Sequence, residues 1–192
     1  MIRLFHNNKT GIVENVRQIP SPNFDERPVN TEIDLLVVHA ISLPPRSYGG
    51  SFIEDFFSNC LNCDAHPYFK EIADLHVSSH FLIDRAGLIT QFVPTHCRAW
   101  HAGVSQFNGV ESVNDFGIGI ELEGCDEDMF ESGQYNALVN LTQCLQEAYP
   151  EIDGDRIVGH SDISPGRKTD PGPCFEWAKY RAMLDSKRSV SK

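Results

Sequence analysis

The segment 33-IDLLVVHA-40 decides the fold, because it is a short and almost continuous apolar run that contains β-branched residues. A run of this length predicts a strand that is buried on both faces, in the interior of a sheet. His39 directly follows the apolar residues 35–38, so an imidazole is predicted at the end of this strand. Strand ends are where α/β sheets build their functional sites.

Further strands and helices are predicted on the C-terminal side of this run. The segments 79-SHFLID-84 and 88-LITQFV-93 flank a turn that contains glycine, which predicts a β-hairpin. The segment 117-GIGIELEG-124 alternates apolar residues with others, which is the period of a strand. Apolar residues at helical spacing predict helices over 51–59, 134–150 and 175–184. Strands interleaved with helices indicate a mixed α/β fold.

The chain is long enough for one well-buried core, since it has 192 residues of which 41% are hydrophobic. The first residues are rich in proline and asparagine and predict an extended arm. We therefore expect an N-terminal arm over 1–29, a single domain over 30–185 and a C-terminal tail over 186–192.

The composition excludes several classes of function. A formal net charge of -11 argues against a nucleic-acid-binding surface. No segment approaches the ~20 apolar residues that a membrane span requires, and the first residues lack a signal-peptide pattern. These features predict a cytoplasmic protein that binds neither membrane nor nucleic acid. The six cysteines are scattered, and the one Cys60/Cys63 pair is interpreted as two thiols in preference to a zinc or redox motif.

The segment 159-GHSDISPGRKTDPGP-173 crowds polar residues into a stretch that Gly and Pro keep from forming a regular helix. One interpretation is a solvated loop. The other is a metal site, because His160 follows a short apolar run, as His39 does, and Asp170 lies in a loop that can fold back beside it. Two neutral imidazoles and one carboxylate form a known catalytic zinc set that leaves a fourth position for water. Buried histidines without a metal are the alternative.

Four segments of the chain resemble the AmpD family of cytosolic zinc amidases. They occur in the family's order and at near-constant spacing, within a region from about residue 19 to residue 184. The segments are 36-LVVHAISLPP-45, 97-CRAWHAGVS-105, 114-NDFGIGIELEG-124 and 159-GHSDISPGRKTDPGP-173. The resemblance implies a central mixed β-sheet flanked by helices, which is the fold of type 2 amidases and peptidoglycan-recognition proteins. It also implies that His39, His160 and Asp170 bind Zn²⁺.

The same resemblance implies catalytic roles for two further residues. Glu121 matches an acidic position that accepts a proton from water and passes it to the leaving amine. Glu123 lies on the same strand face, so alternation does not choose between the two, and only the resemblance favours Glu121. Lys168 matches a position that stabilises the tetrahedral oxyanion. Asp162 either holds a ligand imidazole or caps the loop.

Substrate contacts are predicted at two positions. Trp100 is expected to present its ring to the saccharide, with a core tryptophan as the alternative. Arg167 is expected to anchor a carboxylate of the stem peptide. His80 and His101 are predicted to be structural, hydrogen-bonded histidines. Ala40 departs from the family, since many relatives carry Asn there.

These residues predict a zinc amidase that cleaves the bond between N-acetylmuramic acid, in its 1,6-anhydro form, and L-alanine of the stem peptide. Its partner is then a muropeptide, and its role is peptidoglycan recycling. Two alternatives stay open: an amidase that acts on the intact cell wall, and a non-catalytic peptidoglycan-binding module. Binding modules of this fold characteristically lack part of the zinc set.

Overall fold

The computed structural model describes the backbone of residues 3–190 and the side chains of residues 3–186. The strands follow one another as β1 (Phe5–Asn7), β2 (Ile12–Glu14), β3 (Arg17–Gln18), β4 (Phe24–Glu26), β5 (Leu35–Ile41), β6 (Phe81–Ile83), β7 (Ile89–Gln91), β8 (Cys97–Ala99), β9 (Gln106–Phe107), β10 (Val110–Glu111), β11 (Gly117–Glu123) and β12 (Ile157–Gly159). The helices are α1 (Phe52–Phe57), α2 (Pro67–Glu71), α3 (Ser132–Ala148), α4 (His160–Ile163) and α5 (Trp177–Val190).

Six strands form the central sheet, in the order β12-β5-β11-β6-β7-β3. The strands from β12 to β6 are parallel, whereas β7 pairs antiparallel with β6. The sheet is therefore mixed, and the predicted α/β fold with a central mixed sheet is confirmed. The strand predicted at 33–40 lies inside this sheet, and the side chains of Leu35 to Val38 are fully buried.

The two faces of the sheet pack in different hydrophobic clusters. Side chains of one parity pack against α3 and α5 in the main core. They include Leu36, Val38, Ile118 and Ile120, all with no exposed surface. The opposite parity carries Leu35 and Val37 into a smaller cluster. Because alternate residues share a face, His39 points to this second side, and the site forms there.

The predicted hairpin and long helix are also confirmed. Strands β6 and β7 pair around Gly87, whose φ of 84° lies in the left-handed region that glycine adopts without strain. Helix α3 begins with a capping box, in which Glu131 and Gln134 bond each other's backbone N–H groups. None of the helices within residues 3–190 combines the length and apolar character that a membrane span requires.

Within the segment predicted as an N-terminal arm, residues 3–29 pack against the rest of the protein. Strand β3 extends the central sheet, and β4 pairs with β8. The guanidinium of Arg27 is buried and donates hydrogen bonds to the carbonyls of Asn114, Asp115, Thr95 and Gly117. Helix α5 continues through residues 186–190 of the predicted tail, and residues 191–192 lie outside the described part. The domain boundaries at 29 and 185 stay predictions.

Candidate active site

Three side chains converge where β5 and β12 lie side by side. His39 is near the C-terminal end of β5, and His160 begins α4 directly after β12. The loop that carries Asp170 folds back beside His160. The backbone carbonyl of Asp170 accepts a hydrogen bond of 3.0 Å from the N–H of Ser161. The Nδ1 atoms of the two histidines are 2.9 Å apart, and Asp170 Oδ2 lies 3.3 Å from His39 Nδ1 and 3.1 Å from His160 Nδ1.

The triangle of donor atoms fits a small divalent cation. Tetrahedral zinc with bonds of ~2.0–2.1 Å holds neighbouring ligand atoms roughly 3.3 Å apart, close to the separations found here. His160 Nε2 lies 3.1 Å from the carbonyl of Ala102, which can only accept, so the neutral ring has its lone pair on Nδ1. Two imidazole nitrogens and a carboxylate oxygen therefore face one another, an arrangement that a cation between them stabilises.

The protonation states of His39 and Asp170 suit a metal site. Burial lowers the pKa of His39 to about 4, so the ring is neutral at neutral pH. Burial on its own would raise the pKa of Asp170, but the Nδ1 groups of His160 and His39, which can donate to the carboxylate when no cation lies between them, outweigh burial and hold that pKa well below 3.8. Asp170 is thus a carboxylate. Metal binding requires neutral imidazole and ionised carboxylate.

The structure distinguishes the two glutamates of β11. Glu121 pairs in register with His39 on the neighbouring strand, so both side chains lie on the site face. Its Oε2 atom is buried and has no hydrogen-bond partner among the described residues. Burial and the nearby charge of Asp170 raise its pKa well above 4.5, against the opposing charge of Lys168. Glu123 is 4% exposed, and its two carboxylate oxygens accept the N–H groups of Gly49 and Arg85.

Two polar residues of the 159–173 loop have different environments. Lys168 is exposed and lines the same cavity as Glu121 and Asp170. Asp162 turns away, and its Oδ2 accepts the N–H of Gly159, the residue before α4, at 2.7 Å. Of the two interpretations of Asp162, the structure gives the cap.

Trp100 and Arg167 line the cavity, and both are also tied to the protein. The indole Nε1 of Trp100 donates to Asp25 at 3.2 Å. Arg98 grips the same carboxylate with two hydrogen bonds of 2.6 Å and thereby lowers the pKa of Asp25. Arg167 Nη2 donates to the carbonyls of Ala102 and Val104 and to the hydroxyl of Ser164. A substrate contact by Arg167 would therefore use its other nitrogens.

The cavity has a volume of about 650 Å³, within the range of small-molecule sites. Its wall combines apolar side chains, such as Leu43 and Ile72, with Trp100 and the charged residues of the site. Sequence reasoning missed that residues 101 and 102 contact both ligand imidazoles. His101 was expected to form hydrogen bonds, but nothing in the local pattern identifies His39 as its partner.

Comparisons with known proteins identify relatives of this chain. The family model described as N-acetylmuramoyl-L-alanine amidase matches residues 29–173. The 1,6-anhydro-N-acetylmuramyl-L-alanine amidase AmpD of Haemophilus influenzae is 53% identical over 174 residues, which are 91% of this chain and 95% of that protein. A crystal structure of a selenomethionine AmpD derivative superposes with a TM-score of 0.89 at 49% identity, covering 91% of this chain and 97% of the other.

A more distant structure is relevant because it holds a ligand. It is the N-acetylmuramyl-L-alanine amidase AmiD of Escherichia coli, in complex with the substrate anhydro-N-acetylmuramic acid-L-Ala-D-γ-Glu-L-Lys. It has a TM-score of 0.58 and 28% identity, and the match covers 93% of this chain and 65% of that chain.

Proposed function

This chain belongs to the N-acetylmuramoyl-L-alanine amidase family, and from that premise we propose that it is a zinc-dependent amidase of peptidoglycan recycling. It hydrolyses the amide between N-acetylmuramic acid, in the 1,6-anhydro form, and L-alanine of the stem peptide. The observation that carries the proposal is the convergence of three metal-ligand atoms within 3.3 Å of one another, beside a buried carboxyl without a partner.

His39, His160 and Asp170 are the residues that would hold the zinc. Zinc in such a site supplies Lewis acidity and activates water near neutral pH. One carboxylate against two positive charges leaves the set net cationic, so this acidity is retained. The match between residue types, protonation states and spacing supports zinc over the larger, oxygen-preferring cation calcium.

Glu121 is the proposed general acid–base. A carboxylate that must accept a proton near neutral pH works best when its pKa lies close to that pH, and burial shifts Glu121 in that direction. Its free Oε2 receives the proton of the attacking water and then delivers it to the amide nitrogen as the C–N bond breaks. The charge of Lys168 favours the ionised form of Glu121 before that step.

Lys168 is proposed to donate a hydrogen bond to the carbonyl oxygen as it becomes negative in the tetrahedral state. Its exposure at the rim of the cavity leaves its ammonium group available to the substrate. Removal of one such donor commonly costs ~3 kcal/mol of transition-state stabilisation.

Trp100 and Arg167 are the proposed substrate contacts. Because the indole N–H of Trp100 is bound to Asp25, the ring is held in one orientation and its apolar face is left for the saccharide. Arg167 is proposed to meet a carboxylate of the stem peptide through the nitrogens that Ala102, Val104 and Ser164 do not use. The domain is proposed to span 30–185 and to act on muropeptide in the cytoplasm.

An amidase of the intact wall and a non-catalytic binding module are the competing functions. The complete ligand set argues against the module, since such modules lack part of it. Metal analysis and hydrolysis assays on wild type and His160→Ala test the proposal. We expect one zinc and release of the stem peptide from anhydromuropeptide in the wild type, and loss of both in a folded variant. Faster turnover of sacculi than of anhydromuropeptide would favour the wall amidase, and binding without hydrolysis would favour the module.

A further inference from the structure

Two consecutive residues, His101 and Ala102, contact both ligand imidazoles on the side away from the metal position. His101 Nδ1 lies 3.0 Å from Nε2 of His39, and the two rings are almost perpendicular, at 87°. The carbonyl oxygen of Ala102 lies 3.1 Å from Nε2 of His160. Each imidazole thus has its Nδ1 toward Asp170 and its Nε2 toward this short segment.

The segment is itself held in place by contacts that do not involve the ligands. The side-chain oxygen of Asn114 accepts the N–H of His101 at 3.1 Å and the N–H of Ala102 at 2.8 Å. The ring of His101 occupies space that Gly119 leaves open, since a Cβ at position 119 would lie 2.6 Å from the ring atoms. Few movements of residues 101 and 102 are therefore possible without breaking backbone hydrogen bonds.

The contacts determine which nitrogen of each imidazole carries the proton. A neutral imidazole that binds metal through Nδ1 must carry its proton on Nε2, and an acceptor at Nε2 selects that tautomer and fixes the ring plane. The Ala102 carbonyl is such an acceptor for His160. For His39 the acceptor is His101 Nδ1, which places the proton of His101 on Nε2.

That arrangement leaves the Nε2 atom of His101 buried without a hydrogen-bond partner among residues 3–186. A buried polar hydrogen without a partner carries a desolvation cost. The contact with His39 therefore has a cost to the stability of the fold.

We propose that His101 and Ala102 form a bracket that orients both metal-binding histidines, with Asn114 as the residue that fixes the bracket. His101 and Asn114 are positioning residues, because they act through His39 and His160. The inference rests on the proposed zinc site and adds three residues to it.

His80 provides a matched control within the same part of the protein. It is as buried as the ligands, and its ring packs edge-on against that of His101 at 5.6 Å. Its Nδ1, however, accepts the N–H of Gly119 and its Nε2 donates to the carbonyl of Cys97, so it bonds to neither ligand. Loss of His80 perturbs the packing around the bracket without removing an acceptor from a ligand.

The test compares zinc affinity, measured by competition with a chromophoric chelator, among variants of the full chain. His101→Leu fills a similar volume without an acceptor, whereas His101→Asn keeps an acceptor oxygen two bonds from Cβ, as Nδ1 is. We expect a 10–100-fold weaker affinity for His101→Leu and an affinity within about threefold of wild type for His101→Asn. His80→Asn should bind zinc as wild type does. The spectrum of the cobalt-substituted protein should change in His101→Leu alone.

Circular dichroism of the zinc-free proteins separates metal loss from unfolding. If His101→Leu is folded and binds zinc as tightly as wild type, or if His80→Asn loses as much affinity as His101→Leu, the bracket is overturned. If His101→Leu does not fold, variants of Asn114 provide the test. A zinc affinity that is weaker in Asn114→Ala and close to wild type in Asn114→Asp supports the bracket. A zinc affinity of Asn114→Ala equal to that of wild type contradicts it. Wild-type protein that binds no zinc would instead overturn the proposed function.

Discussion

Substitution of either glutamate in β11 by glutamine separates catalysis from stability. The two residues are chemically equal and two positions apart, yet Glu121 has an unpartnered oxygen at the site whereas Glu123 accepts two backbone N–H groups. Glutamine keeps the size of either side chain and removes its negative charge. Each variant is therefore the control for the other.

For Glu121→Gln we expect a fall in kcat of about 10²–10⁴-fold, the usual contribution of a positioned acid–base group. At 1.36 kcal/mol for each factor of ten, this is ~2.7–5.4 kcal/mol of barrier. The melting temperature should not fall, because burial already disfavours the charge that the substitution removes. Zinc content should stay at one per chain, since Glu121 is not among the three converging ligands.

For Glu123→Gln we expect the opposite result. An amide offers one acceptor oxygen in place of two, so one of the N–H groups of Gly49 and Arg85 loses its partner. Loss of a hydrogen bond to a charged group costs ~1.5–3 kcal/mol, and both of these bonds are part-buried. In a chain of this size, each kcal/mol of lost unfolding free energy lowers the melting temperature by roughly 2–4 °C. The kcat should stay within about fivefold of wild type.

The assay is release of stem peptide from anhydromuropeptide, followed by chromatography, with calorimetry and zinc analysis of the same samples. The reasoning is refuted if Glu123→Gln is the inactive variant while Glu121→Gln retains wild-type kcat. It is also refuted if Glu121→Gln loses its zinc, because the residue would then be a ligand.

Three further predictions follow from contacts outside the ligand set. Asp25→Ala removes the acceptor of the indole N–H of Trp100. The KM for the anhydromuropeptide should therefore rise several-fold, with kcat within about twofold of wild type. A fall in kcat with unchanged KM would contradict the proposed role of the ring. Arg27→Met removes the donor to four backbone carbonyls. The free energy of unfolding, measured in urea, should fall by about 3–5 kcal/mol. A fall of less than ~1 kcal/mol would show that these hydrogen bonds contribute little to stability. With iodoacetamide at pH 8, mass spectrometry should find the exposed Cys60 modified long before Cys144, whose thiol is buried and has its pKa raised to about 11; equal rates would contradict the burial of Cys144.

The sequence predicted the central features because they depend on local patterns. The apolar run at 35–38 and the alternation in 117–124 are strand signals by themselves, and a histidine directly after such a strand can be located at its end. The assignment of Glu121 needed more, because Glu123 has the same parity. From the sequence, only the resemblance to a family favoured Glu121. The structure adds that both carboxylate oxygens of Glu123 already accept backbone N–H groups.

The remaining features depend on contacts between distant parts of the chain. His101 and His39 are 62 positions apart, and the local segment shows nothing of their hydrogen bond. The packing of residues 3–29 was also hidden, because strands of two or three residues are too short to show a period. The contacts of Arg167 were missed for a similar reason, since a carbonyl acceptor leaves no trace in the pattern of side chains.

X-ray absorption at the zinc edge of the purified wild-type protein tests the central claim most directly. If both imidazoles and the Asp170 carboxylate hold the ion, the first shell contains only nitrogen and oxygen at ~2.0–2.1 Å. A sulfur shell at ~2.3 Å would assign the metal to cysteines. A protein that contains no zinc as purified and takes up none when zinc is added would contradict the proposed hydrolytic centre.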